Sequence, residues 1–260
     1  MENKFQIKNR KDQKIIGILS IPQNPIGLGV IQHGLGGFKE QKHMTSIAET
    51  LLNHGYVVVN FDATNSIGES EGNYEQATMQ NHYDDLVDVI AWAKTQEWYQ
   101  EPFVLVGHSL GGYTVARYAE DYPNEVKGVF PHALVVAGEL SYKAAEKFES
   151  ANLKSWEETG WKTEESKSKP GVVKSLPWSH MEERFKHDLR PNAHKLTMPV
   201  LFVVGEKDIH CPPIDQQALC DLVAGPKEMH VIVGARHTFK ESEHLVQLKD
   251  IFGKWLEKIK

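Results

Sequence analysis

Two glycines bracketing a serine, Gly107-His108-Ser109-Leu110-Gly111, carry the first chemical signal in this chain. They follow a short apolar run, Phe103-Val104-Leu105-Val106, and precede residues that can continue as a helix from Tyr113 to Tyr122. A strand, a sharp turn carrying a serine and then a helix is the setting in which a hydroxyl is lifted clear of a sheet and used as a nucleophile. Flanking glycines let the backbone turn without a Cβ clash. The free N–H groups at the start of the following helix favour developing negative charge. The same five-residue spacing recurs at Gly68-Glu69-Ser70-Glu71-Gly72, without an abutting apolar run or a helix starting on its serine. Glutamates on both sides of Ser70 would oppose an oxyanion, so Ser70 reads as a loop residue and Ser109 as the nucleophile.

A serine hydroxyl needs a base to take its proton, and the base needs a third group to orient it. In an open parallel sheet such groups collect in the loops at the carboxyl ends of strands. The apolar run Met198–Val204 is followed by Gly205-Glu206-Lys207-Asp208, and Met229–Val233 by Gly234-Ala235-Arg236-His237-Thr238. Asp208 is therefore the expected acid, ahead of Glu206 and Asp215, and His237 the expected base among thirteen histidines. His108 adjoins the nucleophile, but neighbours on a turn point differently. His210 shares the acid's loop, and His180, His187 and His194 have no strand end to hold them. The order Ser, Asp, His along the chain is that of α/β-hydrolases. For the oxyanion, the backbone N–H of Leu110 is one expected donor. The other is the N–H of Leu35, in the glycine-rich loop His33-Gly34-Leu35-Gly36-Gly37 after an early strand.

The elements that must position these groups follow from periodicity. Phe5–Lys8 and Ile15–Ile21 read as an antiparallel strand pair, Gly29–His33 as a third strand, and Tyr56–Asp62 as a strand covered on both faces. Met44, Ile47, Ala48 and Leu51 mark a helix over 41–54, closed by Gly55. Leu86, Val89, Ile90 and Ala93 mark another. Val126–Ala137 predicts a strand with a bulge or an end near Pro131. The strand–helix rhythm then stalls until Met198. The intervening stretch has balanced charge and three tryptophans, Trp156, Trp161 and Trp178, and reads as a small helical cap. Ser179 and Thr238 each have capping-box spacing and predict helix starts. A helix over 213–223 and a strand over 229–234 complete the expectation. The fold class is α/β: a mainly parallel sheet with helices on both faces, residues 1–138 and 191–260 forming the core and 139–190 an inserted cap.

Bulk properties exclude several classes. A net charge of −6 without any Lys/Arg run disfavours a nucleic-acid partner, and no apolar stretch is long enough to span a bilayer. The first residues lack the apolar core of a signal peptide, and Cys211 and Cys220 form no disulfide framework, so a cytoplasmic location is expected. His210 with Cys211 is too few groups for a metal site, and no Gly-x-Gly-x-x-Gly follows a strand. No cofactor is expected, and the partner is a small-molecule ester, with homo-oligomerisation left open.

On these motifs the chain resembles the α/β-hydrolase superfamily, and within it the bacterial cinnamoyl/feruloyl esterases and monoacylglycerol-lipase-like carboxylesterases. The resemblance runs from the His33-Gly34 loop through the Ser109 turn to Gly205-Glu206-Lys207-Asp208 and His237. It implies a Ser109–His237–Asp208 triad with Leu35 and Leu110 as oxyanion donors, acting on carboxylic esters through an acyl-enzyme. Those families also carry a modest cap between the sixth and seventh strands. One departure stands out: many relatives have Asp-x-Arg-Gly-x-Gly-x-Ser after the fourth strand, whereas Asp62-Ala63-Thr64-Asn65-Ser66-Ile67-Gly68-Glu69-Ser70 has no arginine and is one residue longer. A thioesterase or acyltransferase, a prolyl-oligopeptidase-like peptidase, or a non-catalytic binding module on the same fold remain as alternatives.

Overall fold

The computed structural model describes residues 2–260, so Met1 of the expected core lies outside it. Eight strands form one sheet: β1 (Glu2–Lys8), β2 (Lys14–Ser20), β3 (Gly27–Gln32), β4 (Tyr56–Phe61), β5 (Phe103–His108), β6 (Val126–His132), β9 (Val200–Gly205) and β10 (Lys227–Ile232). Their spatial order is β1-β2-β4-β3-β5-β6-β9-β10, antiparallel at β1–β2 and β2–β4 and parallel from β4 to β10. The chain leaves β3 towards one edge and returns to β5 on its other side. The order therefore reverses between β3 and β5, and in an open α/β sheet that crevice is where ligands bind. Gln32 pairs with Gly107, which brings the glycine loop after β3 beside the turn after β5.

Alternation along each strand builds two cores. Phe103 and Leu105 of β5, with Val200 and Phe202 of β9, face a cluster shared with α2 (Met79–Ala93), α3 (Leu110–Asp121) and α7 (Pro213–Leu222). Val104, Val106, Leu201 and Val203 face the opposite cluster, with α1 (Lys42–Asn53) and α8 (Ser242–Lys258). The period of two assigns successive residues to opposite faces, and full burial of each such side chain contributes about 1.5–3 kcal/mol. Gly55, at φ +87°, closes α1 as expected.

Three local expectations change. β6 ends at His132, next to Pro131 as expected but short of Ala137, and the register shift in its pairing with β5 lies between Phe103 and Val104. Val129 N donates to Pro199 O (3.0 Å) and Ala133 N to Val203 O (2.8 Å). Strand N–H groups alternate sides, so Pro131 faces β9 and interrupts that ladder for want of a donor. The last helix starts at Ser242, not near Thr238, because Phe239 turns into the left-handed region (φ +48°) to bury its ring. Between β6 and β9 the chain forms α4 (Gly138–Phe148), α5 (Ser150–Thr159), a hairpin of β7 (Trp161–Glu165) and β8 (Val173–Pro177), and α6 (Ser179–Arg184). The insertion is thus helical only in part. Leu153, Trp156, Leu176 and Met181 give it a small core of its own, which Leu35 and Tyr74 join from the main domain.

One buried acid on α3 makes stability depend on pH. Glu120 is 4% exposed and its Oε1 has no partner. Burial, with Asp121 adjacent, pushes its carboxyl up to about 8 from an ordinary 4.5. Between those values the folded chain keeps a proton that the unfolded chain releases, so stability falls as pH rises through the window. The loss is on the order of 3 kcal/mol at pH 7. Glu120→Gln is expected to recover most of it: urea melts should show the variant well above wild type at pH 7.5 and only slightly above at pH 5. A gain of the same size at both pH values would mean that titration of Glu120 is not the cause.

Candidate active site

The turn after β5 holds Ser109 at φ +56°, ψ −114°, a conformation that costs a non-glycine residue on the order of 1–3 kcal/mol. Neighbouring bonds pin it: Ser109 N donates to His132 O (3.1 Å), and Ser109 O accepts from Tyr113 N and Val135 N. The close approach of the two loops requires Gly34, since a Cβ there would lie 2.9 Å from that of Ser109. This contact sets the loop after β3 against the nucleophile. His33 braces that loop, its Nδ1–H donating to Gly34 O (2.8 Å) and its Nε2 accepting from Ala63 N (3.0 Å). The two expected oxyanion donors, the N–H groups of Leu35 and Leu110, belong to these adjoining segments. Leu110 opens α3, where a backbone N–H has no acceptor within the helix.

The structure brings Ser109, His237 and Asp208 together from three strand ends. His237 Nε2 lies 3.0 Å from Ser109 Oγ, and His237 Nδ1 lies 2.7 Å from Asp208 Oδ2. A carboxylate only accepts, so Nδ1 carries the proton and Nε2 is left bare to receive the serine's. Asp208 is buried, and its Oδ1 accepts from His210 N and Cys211 N, both at 2.9 Å. The His237 loop is tied to the Asp208 loop after β9, with Lys207 N donating to Ala235 O (2.8 Å). A second brace was invisible in the sequence: His108 Nε2–H donates to the backbone carbonyl of His237 (2.9 Å). His43, His108 and His132 cluster behind His237, and burial pushes all three far enough down to keep them neutral. No positive charge there opposes an imidazolium at His237.

The competing residues have other engagements. Ser70 Oγ donates to Asp62 O (2.6 Å) and accepts from Ile16 N (2.8 Å), tying its loop to β2. Glu206 accepts from Gly234 N (2.9 Å), and Asp215 sits in the first turn of α7. His210 pairs with Glu149 (3.3 Å), His180 bonds Ala77 O (2.7 Å), and His187 bridges Glu183 and Tyr113. Cys211 and Cys220 are unpaired and buried, as packing residues are. Burial pushes the Cys211 thiol up, which keeps it protonated beside Ser109. The loop after β4, which has no arginine, is held by a lysine from another loop. Lys39 is buried, with Nζ at 2.8 Å from Asp62 Oδ2 and 2.6 Å from Glu69 Oε2.

The cap carries a cation without an ion-pair partner. Arg184, at the end of α6, forms no ion pair among the described residues, and its Nε is sealed from solvent with no acceptor. Among the described residues, no group of three or more His, Cys, Asp or Glu is placed to hold a metal ion, and no helix is long and apolar enough to cross a membrane. A groove of about 470 Å³ between α1 and α8 shares no residue with this site.

The sheet order, the reversal between β3 and β5 and the strand-end loops are those of the α/β-hydrolase fold. The chain belongs to the family described as serine aminopeptidase, S33, whose profile matches residues 23–243. It is similar to Est1E from Butyrivibrio proteoclasticus, solved with ferulic acid bound (TM-score 0.80, 20% identity, 98% of each chain). It is also similar to mouse α/β hydrolase domain-containing protein 10 (TM-score 0.78, 21% identity, 99% of this chain and 100% of that one). An uncharacterized 31.7 kDa protein from the traX-finO intergenic region of Escherichia coli is 25% identical over 238 residues, covering 80% of this chain and 82% of that protein.

Proposed function

We propose that this hydrolase-family protein is a serine esterase that cleaves carboxylic esters through an acyl-enzyme. The observation that carries the reading is the unbroken hydrogen-bonded line Asp208–His237–Ser109. Ser109 Oγ attacks the ester carbonyl as His237 Nε2 takes its proton, and the new C–O bond forms the tetrahedral intermediate. Its oxyanion lies against the N–H groups of Leu35 and Leu110. His237 then protonates the departing alkoxide, and water repeats the sequence to free the acid and restore Ser109. Asp208 holds the imidazole in the tautomer this needs. Esterases among the solved neighbours, Est1E and an esterase of Pyrococcus furiosus, support an ester substrate.

The family's description raises a second reading, an aminopeptidase. Such an enzyme must neutralise the α-ammonium of its substrate, which the cation Arg184 on the cap would oppose. Purified protein assayed with p-nitrophenyl acetate, butyrate and octanoate, an acyl thioester and aminoacyl p-nitroanilides separates these readings. Ester turnover is expected to exceed nitroanilide turnover at least tenfold in kcat/KM, a difference of about 1.4 kcal/mol in transition-state binding. Faster anilides would favour the peptidase, and folded protein inert on all three would overturn catalysis altogether. Addition of an alcohol acceptor is expected to leave the rate of acid release unchanged; diversion of the acyl group would identify a transferase.

A further inference from the structure

We infer that Arg184 is a specificity-determining residue that receives a carboxylate carried by the ester substrate. The inference rests on the esterase reading and narrows its substrate class to esters with a free acid group.

The argument starts from the arginine's partners. Arg10, Arg117 and Arg190 each pair with at least one carboxylate, at 2.7–3.8 Å, and Arg236, which has no ion pair among the described residues, is exposed to water. Arg184 has none. Its Nη2 donates to His180 Nε2 (3.2 Å), and His180 Nδ1–H in turn donates to Ala77 O (2.7 Å), which fixes that tautomer. The neighbouring acid is spent elsewhere: Glu183 accepts from Met79 N (3.0 Å), Gln80 N (3.1 Å) and His187 Nε2 (2.6 Å). The same cap core holds a second buried donor with no acceptor, Trp156 Nε1. A guanidinium Nε–H sealed from solvent without an acceptor is costly to maintain, and an incoming anion removes the cost.

Location ties this cation to the chemistry. Met181, one turn earlier on α6, packs in the cap core that Leu35 of the oxyanion loop and Tyr74 join, and the charge of Arg184 is felt by Cys211 and Tyr74 as well as by Glu183 and His180. Cys211 lies on the loop of the acid, its N–H on Asp208. Tyr74, from the segment after β4, packs against the oxyanion loop, where a Cβ on Gly36 would be 3.0 Å from its ring. Charge balance selects the kind of anion. His180 is kept neutral by burial and by Arg184 itself, which together push it down to about 3, so it adds no second charge. One guanidinium matches one carboxylate, in planar bidentate geometry, whereas a phosphate dianion would leave excess buried charge.

The test compares matched esters in wild type, Arg184→Gln and Arg184→Lys. One arm sets mono-p-nitrophenyl adipate against p-nitrophenyl hexanoate, placing the carboxylate on the acyl side. The other sets 4-acetoxybenzoate against its methyl ester, placing it on the alcohol side. In one arm wild type is expected to favour the acid by roughly 10- to 100-fold in kcat/KM, mainly through KM, with Arg184→Gln erasing that ratio and Arg184→Lys keeping part of it. A merely structural arginine would lower both members of a pair alike. No acid preference in either arm of wild type, or an unchanged ratio in Arg184→Gln, overturns the inference while leaving the esterase reading intact. If no ester is turned over, the esterase reading has failed. Calorimetry with monomethyl adipate on wild type then decides this one alone, heat of binding supporting it and none overturning it. That measurement also serves if the glutamine variant does not fold.

Discussion

Ser109→Ala is expected to abolish covalent labelling by a fluorophosphonate and to lower p-nitrophenyl ester turnover on the order of 10⁴-fold or more, as loss of the nucleophile does in other triad enzymes. The alanine keeps the left-handed turn at no additional backbone cost, because serine already bears it, and the anchoring bonds at Ser109 N and O do not involve the hydroxyl. The variant should therefore melt close to wild type. Ser70→Ala is the informative comparison, because its serine shares the spacing but not the setting. It loses the bonds to Ile16 N and Asp62 O and is expected to be destabilised by about 1–3 kcal/mol while labelling normally. Labelling that survives Ser109→Ala, measured by intact-protein mass, would remove Ser109 from the mechanism.

The second large effect is at Asp208. Two backbone donors, His210 N and Cys211 N, face Oδ1, and an asparagine must turn its carbonyl oxygen towards them. Its NH₂ then faces His237 Nδ1, which has to accept, and the proton moves to Nε2, the atom that should take the serine's. Asp208→Asn is therefore expected to lose roughly 10⁴-fold in kcat with the fold intact, the size of effect known for the wrong tautomer in such triads. ¹⁵N chemical shifts of the His237 ring would show the exchange of protonated nitrogen directly. An asparagine variant within tenfold of wild type would move the orienting role to Glu206 or Asp215. The geometry opposes both, because Glu206 holds Gly234 N and Asp215 lies on α7.

Both predictions rest on residues found by reading strand ends, and that procedure has a physical basis. Buried parallel strands announce themselves as apolar runs, and the residues just past them must stand at the carboxyl edge of the sheet. The Phe103, Val200 and Met229 runs therefore pointed to Ser109, Asp208 and His237 without any knowledge of distances. The helices with one apolar face, α1 and α2, were legible for the same reason. Where two uses of one local signal compete, the sequence was weaker. Thr238 has the spacing of a helix cap, but burying the Phe239 ring against the sheet takes precedence and delays α8 to Ser242. The cap hairpin was hidden because Trp161–Glu165 and Val173–Pro177 are largely solvent-facing, so no apolar alternation marks them.

Local sequence thus determined which residues are strand, helix and turn, and which chemical groups stand at the strand ends, because backbone preference and period-two burial act over neighbouring residues. Tertiary structure alone decided the pairings between segments far apart in the chain. His108 bracing the carbonyl of His237, Lys39 standing against Asp62, and Arg184 held against His180 without a carboxylate all depend on where the sheet and the cap bring side chains together. Hydrogen bonds and ion pairs operate over a few ångströms in space, and nothing in the spacing of residues along the chain encodes that distance.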